Sequence, residues 1–377
     1  MNARVHKIGG VAMRALAACF GLCALHWGLA YLALAPAHVT VAPATVEHPP
    51  SRPGHASVLF LGDTGPGDAA EPTLRERGYD FPYRATVDLL RGADLTVVNL
   101  EMPITDRGSP PTLYKDYVYR ARPDAAPALA WAGVDVVSLA NNHVIDYGDV
   151  GLADTLAAVR AAGMVPLGAG ADEAEARRGI IATIGGVKVG LLAFCQRQPL
   201  WEMWVDQFAR ARRPGTVALT ELALREDLSR LRARADLVVV LLHIGYNYRA
   251  PADTTIAWSR RAIELGADLV IDHHPHVAHP IMMHQGKPIA LSVGNYAFGT
   301  PGREELNEGL LVYAEIEGRR LDRLEIVPID VQNRRVGFQP RPLVGVALDG
   351  SLARLIAASA ARGAQLERVG DRAVLRL

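Results

Sequence analysis

Leu129-Ala130-Trp131-Ala132-Gly133-Val134-Asp135-Val136-Val137-Ser138-Leu139-Ala140-Asn141-Asn142-His143 packs a helix end, a stop, a strand and a polar terminus into one stretch. Glycine just past a helical turn accepts the left-handed conformation that ends a helix. The short apolar run after it suits a buried strand. The same joint recurs at Leu89-Leu90-Arg91-Gly92-Ala93-Asp94 and at Ile263-Glu264-Leu265-Gly266-Ala267-Asp268. Outward from these joints the pattern predicts strands at 57–61, 94–100, 134–139, 236–242 and 268–271, with helical stretches between them. Alternation of that kind defines an α/β fold. Residues 180–194, with Gly185-Gly186 at the centre, read as a β-hairpin, and 308–329 as another turning near Gly318.

With 377 residues, 50% of them apolar, the chain can bury a sizeable core. Lys plus Arg and Asp plus Glu balance at 40 each, so no overall field points to nucleic acid. Of three cysteines, Cys19 and Cys23 lie in the apolar N-terminal stretch and Cys195 stands alone, which excludes a disulfide framework and a zinc-thiolate site. Arg4, Lys7 and Arg14 precede Ala15 to Leu34, an uncharged run long enough to span about 30 Å of hydrocarbon. Residues 1–37 therefore read as a signal-anchor with a cytoplasmic basic flank. Cleavage is the rival, since Ala35-Pro36-Ala37 resembles a signal-peptide site. Residues 38–56 read as a proline-rich linker, and 57–377 as the globular domain.

What stands at the strand ends carries the chemistry. Asp63 follows Val58-Leu59-Phe60-Leu61-Gly62, Glu101 follows Leu95-Thr96-Val97-Val98-Asn99-Leu100, and Asn142 and His143 follow the run ending at Ala140. His243 follows Val238-Val239-Val240-Leu241-Leu242, and His274 and His276 follow Leu269-Val270-Ile271. In an open α/β sheet, loops at the carboxyl ends of strands converge on one crevice. Oxygen donors from Asp63, Glu101 and Asn142, with nitrogen donors from His243, His274 and His276, suit two divalent ions of manganese, zinc or iron. A carboxylate can bridge such a pair, and Glu101 is the expected bridge. Any one of these residues alone is a core or surface residue more often than a ligand; together they supply a complete coordination set. Asp272, His273, His279 and His284 occupy no such position, and Cys195 reads as a small buried apolar residue.

The motifs also carry a resemblance. Leu61-Gly62-Asp63, Asn99-Leu100-Glu101 with Pro103-Ile104-Thr105, and Ser138-Leu139-Ala140-Asn141-Asn142-His143 with Asp146-Tyr147-Gly148 come first. His243 with Gly245, His273-His274-Pro275-His276-Val277 and Ser292-Val293-Gly294-Asn295 follow in order. Together they resemble the bacterial capsule-synthesis family of the poly-gamma-glutamate type, the CapA/PgsA group, which is similar to calcineurin-like metallophosphoesterases. The resemblance implies a four-layer αββα sandwich with two mixed sheets between helical layers. It implies that Asp63 and His276 hold one metal, that Asn142, His243 and His274 hold the other, and that Glu101 bridges them. His143 matches the histidine acting as general acid in phosphoesterases. Three departures stand out: Gly65 where phosphoesterases place a histidine, Glu101 for the usual bridging aspartate, and Asp272 where glycine is common.

Two functions follow from the resemblance. One is a metal-dependent hydrolase acting on a phosphoester, or on a related bond in a surface polymer or its lipid-linked precursor. The other is a non-catalytic, metal-containing component of capsule polymer assembly or export. Lys115 and Asn295 are the positions expected at the substrate, and Tyr117 and Arg120 share the segment of Lys115. The expected partners are an anionic surface polymer or its precursor and a membrane-bound capsule-synthesis complex, with no nucleic acid. The expected location is the cell inner or plasma membrane with the domain outside the cytoplasm, or secretion if the signal is cleaved.

Overall fold

Gly133 adopts φ 97° after the helix Ala125–Ala132, so the chain turns directly into the strand Val136–Ser138. The computed structural model describes residues 42–48, 54–111, 115, 117–197, 206–300 and 308–377. Residues 1–37, read as signal or anchor, lie outside the described residues. The aspartate beyond each helix stop does a specific job. Asp94, Asp135, Asp236 and Asp268 were expected in the strands, yet each sits just before one and clips its neighbour. Asp135 N–H donates to the Thr96 carbonyl at 2.9 Å, while its Oδ2 accepts the Thr96 N–H at 2.7 Å. Asp94 does the same to Ser57, Asp236 to Lys188 and Asp268 to Val238. Each carboxylate thus satisfies a backbone donor left over where two parallel strands begin.

The strands form two large sheets. One runs in the order 44–48, 180–184, 187–195, 237–243, 269–273, 287–290, 281–284; the other in the order 366–369, 372–376, 320–330, 308–317, 55–65, 95–100, 136–138, 165–167. Both are mixed. Parallel pairing joins 187–195, 237–243 and 269–273 in the first, and 55–65, 95–100, 136–138 and 165–167 in the second. Asn295–Phe298 also pairs with His55–Gly65. Both hairpins form as predicted, over Ile180–Cys195 and Glu308–Asp330.

Side-chain alternation separates three cores. Val239 and Leu241 face Phe60 and Val97 between the sheets. Val238, Val240 and Leu242 face the opposite way, onto Leu224 and Leu228 of the helix Glu221–Arg232 and Ile263 of the helix Asp253–Glu264. Leu59, Leu61, Val98 and Val137 meet Leu129 and Leu152 of the helices Ala125–Ala132 and Gly148–Ala161. These three interfaces make the four-layer αββα sandwich.

Part of the expected linker folds. Ala44–His48 pairs in parallel with Ile180–Ile184, and the next strand begins at His55 rather than Ser57. An unpaired sheet edge accepts any extended segment that offers backbone donors, even one between prolines. The C-terminal segment adds the helix Gly345–Ala360 and the hairpin of Leu366–Val369 with Arg372–Arg376, which periodicity alone did not predict.

Removing one clip leaves a backbone N–H without its acceptor. Asp135→Ala should lower stability to urea by about 1–3 kcal/mol, and Asp135→Asn, which keeps an acceptor oxygen, by less. Equal midpoints for wild type and both variants would show that the clip contributes nothing.

Candidate metal centre

The expected ligands come from both sheets rather than one. Asp63 lies near the end of His55–Gly65, Glu101 follows Leu95–Leu100 and Asn142 lies four residues past Val136–Ser138, all in one sheet; His243 ends a strand of the other, and His274 and His276 follow its neighbour. The site therefore lies where the carboxyl ends of two parallel ribbons meet, a variant of the single-sheet crevice. His273 ties the sheets together there, its Nε2–H donating to the Leu61 carbonyl at 3.0 Å. The loop that follows is strained: His274 has φ 97° and His276 φ 59°, in the left-handed region that favours glycine. Asp63 holds it, with Oδ2 accepting the His274 N–H at 3.1 Å and Oδ1 accepting the Asn99 amide at 2.8 Å. Asn141 fixes the facing loop by donating to the Leu100 carbonyl at 2.8 Å and accepting from His143 N–H at 3.1 Å.

Two sets of ligand atoms result, each lying within 4.8 Å of one another: Glu101, His243 and His274, and Asp63, Glu101 and His276. Glu101 belongs to both. Asn142 joins the first set through Oδ1, which lies 2.8 Å from His243 Nε2, and that nitrogen is 3.0 Å from His274 Nδ1. All six side chains are buried. Neither carboxylate oxygen of Glu101 accepts a hydrogen bond from the described residues; His243 Nε2 sits 3.1 Å from Oε1 but outside bonding geometry. Burial, and then the charge of Asp63, push the Glu101 carboxyl well above its ordinary range. Burial pushes His243 down to about 3 and His274 well below the usual imidazole value. His276 is the exception: burial works against its charge, but Glu101 and Asp63 raise it to about 9. Burial likewise opposes ionisation of Asp63, which the hydrogen bond and charge of His276 nevertheless hold well below the usual carboxylate range. An orphaned buried carboxylate, a second carboxylate and neutral imidazoles converging on it fit a bound divalent cation.

Beside this set, Asp146 gathers three donors: His143 Nδ1 at 2.7 Å, the Tyr119 N–H at 2.8 Å, and Lys115. Burial, and next the charge of Lys115, bring His143 down to about 4 against the pull of Asp146. Lys115 Nζ also donates to the Asn142 carbonyl at 2.7 Å. Expected at the substrate, it braces the loop that carries Asn142 and His143. Asn295 is similarly engaged, its Oδ1 accepting from His276 Nδ1 at 2.9 Å. Sequence reasoning missed Asp146 as a partner of His143, although its spacing of three residues was a readable signal. Tyr117 is exposed, and Arg120 lies over the Tyr147 ring.

The departures have structural explanations. A Cβ on Gly65 would lie 2.3 Å from Met102 Cε and 3.3 Å from Phe298, so the space of the missing histidine is filled. Asp272 turns away from the site and accepts from Ser259 Oγ at 2.7 Å on the helix side, where burial pushes it up to about 8. It does not touch the approach to His274. His279 and His284 stand apart from both sets, bonded to the Leu291 carbonyl and to Glu264. Cys195 is buried, as expected.

The fold and site define a four-layer αββα protein with carboxylate, amide and imidazole side chains gathered where its two sheets meet. Within that class, the chain belongs to the family of bacterial capsule synthesis proteins PGA_cap, which matches residues 57–300. The capsule biosynthesis protein CapA of Bacillus anthracis is 25% identical over 85% of this chain and 77% of its own length. The PGA biosynthesis protein CapA of Bacillus subtilis is 28% identical over 73% and 71%. A Mycobacterium tuberculosis protein named "Probable polyglutamine synthesis accessory protein" is 34% identical over 64% and 67%.

Because Glu101 belongs to both sets, removing its charge should weaken them together. Glu101→Gln is expected to fold but to lose most of the rise in melting temperature that added Mn²⁺ gives the wild type, since a ligand stabilises only in proportion to its occupancy. A rise equal to that of the wild type would remove Glu101 from the site.

Proposed function

We propose that this chain is a capsule or polyglutamate biosynthesis protein that works as a metal-dependent hydrolase. Its substrate is a phosphoester, or a related bond in an anionic surface polymer or its lipid-linked precursor. The observation that carries this reading is the pair of ligand sets sharing Glu101, whose buried oxygens have no hydrogen-bond donor among the described residues. In this reading Asp63 and His276 would hold one ion, Asn142, His243 and His274 would hold the other, and Glu101 would serve both. Two divalent ions held there would supply Lewis acidity and charge neutralisation to a phosphoryl group. His143 is the catalytic acid. Asp146 accepts from its Nδ1, which leaves Nε2 to pass a proton to the leaving oxygen and provides a counter-charge for the protonated ring. Lys115 and the Tyr119 N–H keep the Asp146 carboxylate in place. The basic flank and uncharged run of residues 1–37 support a domain outside the cytoplasm, tethered to the inner or plasma membrane and working beside a capsule-synthesis complex.

One observation favours the non-catalytic alternative. With Gly65 enclosed by Met102 and Phe298, the Asp63 and His276 set lacks the nitrogen ligand that phosphoesterases add, and a weakly held ion suits binding better than turnover.

Mutation separates metal holding from acid catalysis. His143→Ala should retain metal and lower turnover by about 10²–10⁴-fold, the usual worth of a positioned general acid, with a smaller loss on substrates that have a good leaving group. His274→Ala should lose metal and activity together. A wild-type protein with both ions bound that hydrolyses no phosphoester or polymer would leave the assembly role in its place.

Topology can be read independently. Reporter fusions after Ser57 should be active only outside the cytoplasm, and cytoplasmic activity would reverse the proposed orientation.

A further inference from the structure

The pole opposite the metal centre holds a second feature. Asp236 and Asp268 stand just before the strands Leu237–His243 and Leu269–His273, so what surrounds them lies one strand length from the ligands, about 20 Å away. There the tips of two hairpins, at Gly286-Lys287 and Gly318-Arg319-Arg320, flank a cavity of about 290 Å³. Its charged lining is Arg232, Lys287, Arg319 and Arg320 against Asp236 and Asp268. Both carboxylates are already occupied. Asp268 accepts from the Val238 N–H, Lys287 at 2.8 Å and Arg232, and Asp236 accepts from the Lys188 N–H and lies 3.2 Å from Arg319 Nε. Arg320 pairs with no carboxylate among the described residues. The cleft therefore has an excess of positive charge, with guanidinium donors still open.

We propose that this cleft is a docking site for the carboxylates of an extended anionic polymer, separate from the metal centre. The proposal rests on the functional reading above for the identity of the polymer. A recess between two hairpin tips admits a flexible chain. Lys287, 35% exposed, is less accessible than Arg319, whose side chain is 81% exposed, so a chain that can enter the recess reaches a cation that a flat bilayer surface meets less readily. Guanidinium groups bind carboxylates in a bidentate way, so successive side-chain carboxylates can bridge the open donors of Arg319 and Arg320. A polymer held at this pole stays within reach of the centre, which raises its local concentration there without any new contact to the ligands.

The test uses the full chain in detergent and fluorescein-labelled poly-γ-glutamate, with binding followed by anisotropy. Arg319→Glu with Arg320→Glu should weaken binding by about tenfold or more at low salt, where surface charge acts at full strength. The single variant Arg320→Gln should weaken it less, and His274→Ala should bind like wild type. Melting curves and metal content of the double variant should match wild type, since both side chains lie at an exposed turn. Unchanged affinity in the double variant overturns the proposal. So does loss of binding in His274→Ala with the cleft intact, or capture of phosphatidylglycerol vesicles in place of the polymer. Hydrolysis of a generic phosphodiester in the same samples reports on the metal centre separately: its absence throughout, with polymer binding intact, removes the hydrolase reading and leaves the dock.

Discussion

A carboxylate cannot stay ionised in a dry interior without a positive neighbour, and Glu101 is where this chain meets that constraint. Its two oxygens are buried beside the charge of Asp63, with no hydrogen bond from the described residues. The surrounding structure converges on it. Two sheets bring their strand ends together, and His274 and His276 accept left-handed backbone. Strain and buried like charge persist only where the rest of the fold enforces them. Here three cores on four layers supply that enforcement.

Much of this was legible in the sequence, and the reason is physical. A buried parallel strand must be apolar along its length, so the first polar residue after it marks the strand's carboxyl end. Asp63, Glu101 and His243 each follow such a run directly, and the helix-stop glycines mark where the next strand starts. Periodicity does not say which sheet a strand joins. The six candidate ligands were expected to face one crevice, and the strand ends that carry them belong to two sheets. Ala44–His48 was illegible for a related reason, because an edge strand takes its order from the neighbour's backbone rather than from its own side chains. The aspartates were visible but misassigned: a residue before an apolar run looks like its first member until its side chain is seen capping the adjacent strand.

Lys115 and Gly65 show a second limit. A lysine between two ligand strands looks free to meet an anion, and only the fold reveals that Asp146 and the Asn142 carbonyl already claim it. A glycine in place of a histidine looks like a vacancy. Met102 and Phe298 turn it into packed core, so the set of Asp63, Glu101 and His276 is bordered there by apolar side chains.

The parallel edge strand has a mechanical side. Ala44–His48 lies in register with Ile180–Ile184 along its whole length, with the Ala44 N–H also bonded to the Gly179 carbonyl. Tension arriving through the segment before Ala44 and directed along the strand loads these rungs in shear, all at once. A pull across the sheet would peel them one by one. The first strand among the described residues thus resists force best in one direction, along its own axis.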